Sequence, residues 1–217
     1  MKTSVSRFKL AVLLVVLLLP ACAHSQEPGA PTVPPAPSSG GLALTRAEVQ
    51  AIVVTPRLDS DSGGDLDSPR VDHDLDDRMS EPCRAVLNQD NLFGANWSNF
   101  KNRAYYGASN LGVSQSIAVY PDGAAAKAAF ERMKRNFNAC AAKFPIETFG
   151  DAPTLSSPDA RTLVARYPGS VNGSGSVMIY RVDSQVLIYV GAFHYSTDSD
   201  VAQTVVDRIE TKINAPV

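Results

Sequence analysis

The sequence predicts an α+β fold, a central antiparallel sheet with helices packed against it. Three observations carry this expectation. Residues 113–120, VSQSIAVY, put Val113, Ile117 and Val119 on one side and Ser114 and Ser116 on the other, the period of a strand with one buried face. Residues 121–144 then change to a helical period, with Ala126, Phe130, Met133, Phe137, Cys140 and Phe144 spaced by four and three. Between residues 160 and 193 the apolar runs are separated by short turns while helical segments come singly, which is how consecutive antiparallel strands are connected.

Taken in order, Thr45 to Glu48 form a capping box: the Thr45 hydroxyl can accept from the Glu48 amide while the Glu48 carboxylate reaches back. A short helix should run from there to about Val54, ended by Pro56. Residues 59–77 are dense in Asp and Gly and read as an exposed loop. Residues 97–107 read as a strand carrying Tyr105 and Tyr106, followed by the strand at 113–120. Pro121 and Asp122 start the long helix, and Lys127, Glu131, Lys134 and Arg135 lie off its apolar stripe toward solvent. Three strands follow at 160–167, 176–182 and 185–193, the last two joined by a tight turn at Asp183 and Ser184. A final helix, capped near Asp198 or Ser199, repeats Val201, Val205, Ile209 and Ile213 every fourth residue.

The N-terminus precedes this domain with a different chemistry. Lys2, Arg7 and Lys9 form a basic region, residues 10–19 an unbroken apolar run, and Pro20 to Ala23 a small-residue segment, the order of a signal peptide. The apolar run is about half of the roughly 20 residues a membrane-spanning helix needs. Leu19-Pro20-Ala21-Cys22 resembles a bacterial lipobox, with Pro20 departing from its usual small residue, whereas Ala21-Cys22-Ala23 also fits cleavage by the ordinary leader peptidase. Cys22 survives only in the first case. With Cys22, Cys83 and Cys140 as the only cysteines, lipidation of Cys22 leaves an even pair, so the expected state is a lipoprotein anchored to the outer face of the cytoplasmic membrane; the alternative is a soluble secreted form. Residues 26–41, rich in Pro, Gly, Ala, Ser and Thr, cannot bury enough apolar surface to offset chain entropy and read as a tether. The expected organisation is a signal peptide at 1–21, a tether at 22–41 and one domain at 42–217.

Loss of Lys2, Arg7 and Lys9 with the signal peptide moves the formal net charge from -2 to -5. That balance, without a Lys/Arg cluster, argues against nucleic acid as a partner. No G-x-S-x-G, H-E-x-x-H, Gly-rich phosphate loop or kinase motif is present, so neither catalysis nor a cofactor is expected; the alternatives are an exported hydrolase with a site built from sequence-distant residues and a structural envelope protein without a ligand. Of the three histidines, His24 and His73 lie in the N-terminal segment and the acidic loop, and His194, near Ser196 and Asp198, reads as a surface residue at a strand end. Asp59, Asp61 and Gly64 match half of an EF-hand loop, but Arg70 stands where its bidentate Glu belongs; no metal is expected, with a loose calcium site at Asp65 and Asp67 as the alternative.

In an oxidising compartment Cys83 and Cys140 are expected to pair. Around them the sequence resembles a known family. The strings EPCRAVL at 81–87, Trp97, SQSIAVYPDGAAAKAAF at 114–130 and NACAAKF at 138–144 are similar to the PknH-like extracellular sensor domain of mycobacterial kinases and free-standing lipoproteins, over about residues 42–215. The resemblance implies an α+β domain with a cleft for a ligand and a binding rather than catalytic role. Its ligand would be a small molecule, lipid or glycan, with an envelope protein as a further possible partner. Members often carry a second cysteine pair in the later strands, which this chain lacks. Trp97, Tyr105 and Tyr106 are the candidate ligand contacts, because rings with a polar edge suit lipids or glycans at a partly wet site; ordinary core packing is the alternative. Arg166 is a further candidate, for an anionic group, with Arg181 behind it.

Overall fold

The computed structural model describes residues 37–53, 57–59, 64–71, 74, 76–144, 151–169, 175–195 and 200–215. The expectations for the signal peptide, Cys22, residues 22–36 of the tether, His24, Asp61, His73, Ser196 and the Asp198 or Ser199 cap lie outside the described residues.

The helices are α1 (Ser39–Leu42), α2 (Arg46–Val53), α3 (Glu81–Leu87), α4 (Gln89–Phe93), α5 (Gly123–Ala141) and α6 (Val201–Ile213). The strands are β1 (Asp65–Leu66), β2 (Asn99–Tyr106), β3 (Gly112–Val119), β4 (Thr154–Ser156), β5 (Thr162–Tyr167), β6 (Ser176–Asp183) and β7 (Val186–Phe193). They form one antiparallel sheet in the order β1-β2-β3-β7-β6-β5-β4. Two meanders, β2-β3 and β5-β6-β7, join where β3 pairs with β7 along its whole length. The connection through α5 carries the chain to the far edge.

Helices cover both faces of this sheet. On one, α1, α2 and α6 pack Leu44, Val49, Val205, Val206 and Ile209 against Val113, Ile117, Ile179, Ile188 and Val190; this is the aliphatic face. On the other, α3, α4 and α5 pack Phe93, Phe130, Met133 and Phe137 against Phe100, Leu163, Tyr180, Leu187 and Tyr189; this is the aromatic face. The stripe foreseen on α5 is buried there at Ala126, Phe130, Met133, Phe137 and Cys140, and the helix starts where Asp122 accepts from the Ala125 amide at 2.7 Å. The Cys83–Cys140 disulfide ties α3 to α5.

Several expectations are corrected. β3 is buried along its whole length, because its serine side is also covered: Ser116 donates to Asn102 at 2.8 Å and Gln89 of α4 donates to Ser116 at 3.2 Å. Polar residues at alternate positions here mark a buried polar cluster, not solvent. The final hairpin turns at Ser184 and Gln185, since Asp183 still pairs with Val186 and Ser184 takes a φ of 53°. Helical structure begins at Ser39, inside the segment read as tether. There composition misleads, because the segment is held from outside: Gln115 accepts from the Leu44 amide at 2.9 Å and donates to its carbonyl at 2.7 Å, and the Ser39 amide donates to Asn99 at 2.9 Å. α3 and α4, at 7 and 5 residues, are too short to show a helical period in sequence.

Candidate functional site

Register across the aromatic face lines its side chains up in rows. One row runs Asn102, Ser116, Tyr189, Tyr180 and Leu163 from β2 to β5. The next runs Ala104, Ser114, Gly191, Met178 and Ala165, all small except the thioether. Beyond it, at the end of the sheet, stand Tyr106, Gly112 and Phe193, with Tyr167 on β5. A trough of small residues therefore lies between two rows containing large rings, and Tyr106, Phe193, Met178 and Tyr167 beside it are only half buried.

The two glycines make this arrangement possible. Tyr106 lies flat over Gly112, where a Cβ would collide with its ring. Tyr189 and Phe193 lean over Gly191, where a Cβ would stand 2.5 Å from the Tyr189 hydroxyl and 2.8 Å from the Phe193 ring. A Tyr-x-Gly-x-Phe alternation from 189 to 193 thus lets two rings lie over the glycine between them on one face of the strand.

Electrostatically the site is neutral. Burial pushes the Tyr167 phenol up to about 12. Burial, with the neighbouring Tyr106 and Tyr167 phenols, also raises Tyr189, against an opposing hydrogen bond with Ser114. Tyr167 and Tyr189 therefore stay protonated at physiological pH and offer hydroxyls rather than charge. Tyr180 stacks at 5.1 Å on Tyr189 and 4.9 Å on Phe137, and Tyr167 packs 6.3 Å from Phe144, which joins the site's floor to α5. The arrangement can grip an amphipathic molecule. Among the described residues no group of His, Cys, Asp and Glu is placed to hold a metal ion, and Asp65 and Asp67 instead pair with Lys101.

The residues singled out in sequence do not converge. Tyr106 is in the trough. Tyr105, its neighbour on the strand, points to the aliphatic face, where it is buried and donates to the Leu44 carbonyl at 3.1 Å; it is a core residue, not a ligand contact. Arg166 is exposed on β5 and donates to Ser156 at 3.3 Å, and its register partner Val177 belongs to the aliphatic face, so it points away from the trough. Trp97 sits beyond the opposite end of β2, half buried, its Nε1 donating to the Gly94 carbonyl at 2.8 Å. Arg181 is buried against Glu210 at 2.6 Å and Thr162 at 3.0 Å, a structural pair. His194 is exposed at the end of β7 with a φ of 61°. Tyr167, Tyr189, Phe193 and Met178 were not foreseen, because which face they share depends on register between strands distant in sequence.

Comparison with known proteins agrees with this architecture. The family model of the PknH-like extracellular domain matches residues 34–212. The crystal structure of the extracellular domain of PknH from Mycobacterium tuberculosis aligns with a TM-score of 0.61 at 15% identity, over 83% of this chain and 98% of that one, a likeness of fold. No curated protein sequence matches. With a family match spanning nearly the whole described domain and the same fold in a solved relative, the chain belongs to the PknH-like extracellular domain family, an exported sensor-type domain.

Proposed function

We propose that this protein is a lipid-anchored sensor of the cell envelope that binds an amphipathic ligand in the trough between Tyr106, Phe193 and Tyr167 on one side and Tyr189 on the other. The observation that carries the reading is the cluster of half-buried Tyr106, Phe193, Met178 and Tyr167 beside the row of small residues Ala104, Ser114, Gly191 and Ala165, an apolar surface edged by phenol hydroxyls. None of these side chains is charged, so the portion of ligand they receive is uncharged: an acyl or similar apolar segment, with a hydroxyl or amide meeting the phenols and Ser114. Lipidation at Cys22 and the Pro-rich segment after it would hold this site near the membrane from which such a ligand comes.

The test is mass spectrometry of organic extracts from protein purified from its native host, beside a Tyr106→Ala/Tyr167→Ala variant. A stoichiometric lipid that is lost in the variant, with the melting transition still cooperative, is the expected result. Extracts without lipid, together with no displacement of a fluorescent fatty acid, would dispose of the ligand class. Intact mass of the same preparations tests the anchor: a diacylglycerol adduct absent from Cys22→Ala is expected, whereas an unmodified chain starting near His24 would make the protein a freely diffusing one.

A further inference from the structure

A second recess lies far from the trough, beyond the start of β2. It is an open cavity of about 560 Å³ lined by Ser68, Pro69 and Val71 from the segment after β1, Asp90 and Asn91 from α4, and Gly94, Ala95 and Trp97 from the loop into β2. Trp97 is the one tryptophan of the chain. Its indole is fixed in orientation: Nε1 donates to the Gly94 carbonyl at 2.8 Å, and the ring packs 5.5 Å from that of Phe100. Gly94 in turn adopts a φ of 70°, and a Cβ there would lie 2.8 Å from the Arg132 guanidinium, so the loop that holds the indole requires glycine. Val71, on the opposite wall, is 54% exposed, the most exposed large apolar side chain among the described residues.

The lining defines a ligand chemistry by elimination. Asp90 is the one charged residue of the lining, and the Arg132 guanidinium behind Gly94 donates to the Leu92 carbonyl at 3.4 Å, so an anionic ligand is disfavoured. A wholly apolar ligand would desolvate the Asp90 carboxylate and the Asn91 carboxamide without replacing their water. What fits is a molecule with one weakly polar C–H face for the indole, whose ring face is electronegative, and a neutral edge of hydroxyls for a carboxylate and a carboxamide side by side. That is the description of a sugar ring, and the volume admits one or two of them. We infer that the Trp97 recess is a carbohydrate-binding site for neutral glycans, separate from the trough and independent of the lipid reading given above.

Trp97 is its own reporter. Neutral mono-, di- and tetrasaccharides of glucose, mannose, galactose and arabinose are titrated into the mature protein while its indole emission is followed. The expected result is a saturable change with at least one sugar, weakened about tenfold or more in Asn91→Ala, an exposed position, and abolished in Trp97→Ala by calorimetry. Tyr106→Ala leaves it unchanged. Affinity that climbs with chain length assigns a polysaccharide of the envelope, and affinity independent of length assigns a terminal or free sugar. No saturable change with any sugar overturns the inference, as does binding that Asn91→Ala leaves intact or that Tyr106→Ala abolishes.

Discussion

The two faces of the sheet are built from different materials. The aliphatic face is closed by Val, Ile and Leu from α1, α2 and α6, and several of its polar groups are matched in pairs, Gln115 with the Leu44 backbone, Arg181 with Glu210, Glu48 with Lys212 at 2.9 Å, while the buried Tyr195 hydroxyl is without a hydrogen-bond partner among the described residues. The aromatic face carries Phe and Tyr rings under α5 and is fastened by a disulfide. Branched aliphatic chains fill space from every side and leave nothing over. Rings are flat and, as tyrosines, carry a polar edge, so they pack well on one side and leave recesses and hydroxyls on the other. The face that is harder to pack is the one on which the candidate site lies, and it is also the one with a covalent fastening.

Breaking that fastening should have the largest effect. Cys83 and Cys140 are separated by 57 residues, and freeing such a loop relaxes the unfolded chain by about 4 kcal/mol on the chain-entropy account. Replacing both cysteines by serine should lower the unfolding free energy by roughly that amount in urea titration, with near-ultraviolet circular dichroism lost from the tyrosines before far-ultraviolet signal. A drop below about 1 kcal/mol would mean that α3 and α5 hold the aromatic face together without it.

Alkali should attack the same face. Burial raises Tyr120 to about 12, against the opposing charge of Arg132, and burial raises Tyr167 likewise to about 12. A phenol whose folded pKa lies above its ordinary value of 10.0 stabilises the fold fully below that value, and the contribution is lost as pH rises through the folded value. Each such shift corresponds to roughly 2 to 3 kcal/mol at most, so stability should fall steeply between about pH 10 and 12 as tyrosinate absorbance at 295 nm rises, to be read by spectrophotometric titration (roughly the wavelength where only ionised phenol absorbs). Constant stability across that range would show that the rings are hydrated in solution.

On the aliphatic face the largest single polar effect belongs to Gln115. Its carboxamide bonds both backbone groups of Leu44 in a buried position, and since the carbonyl keeps the Tyr105 hydroxyl at 3.1 Å, Gln115→Ala leaves the Leu44 amide without a partner and should cost about 2 kcal/mol in chemical denaturation. The same substitution should loosen α1 first, giving faster amide exchange at residues 42–44 than in β7. Uniform loss of protection instead would mean that α1 is an integral layer and not a strap.

How much of this was readable beforehand follows the range of the interactions. α2, α5, α6 and strands β3 and β5 to β7 announce themselves by period, and Thr45 and Glu48 by their spacing, because each depends on neighbours within a few residues. The disulfide followed from compartment and parity. The trough did not, because it is a property of register: Tyr106, Ser114, Gly191 and Tyr167 come from four strands, and only their pairing places them side by side. Whether Tyr105 packs in the core or meets a ligand was open for the same reason, since adjacent residues on a strand point to opposite faces and the pattern alone does not say which face the helices leave open; the structure has it in the core.

The smallest effect separates the faces by pH from the acid side. Burial alone would raise Glu48, but hydrogen bonds from the Thr45 amide at 2.7 Å and hydroxyl at 2.8 Å, together with Lys212, outweigh it and hold the carboxyl down to about 2. A carboxylate held below its ordinary value of 4.5 contributes above that value and loses its contribution as pH falls toward about 2. Because its side chain is 38% exposed, solvent screening limits the effect to under about 1 kcal/mol. Glu48→Gln should therefore lower stability slightly at neutral pH and flatten the part of the acid limb that this group supplies, leaving the contributions of Asp65 and Asp159, which neighbouring groups also hold below the usual carboxylate range. The part of the alkaline limb that Tyr120 and Tyr167 supply should not move, because Glu48 joins α2 to α6 on the aliphatic face and those two phenols belong to the other. A shift of both limbs together would mean that the two faces unfold as one unit, and the contrast between them would then be one of composition and not of cooperativity.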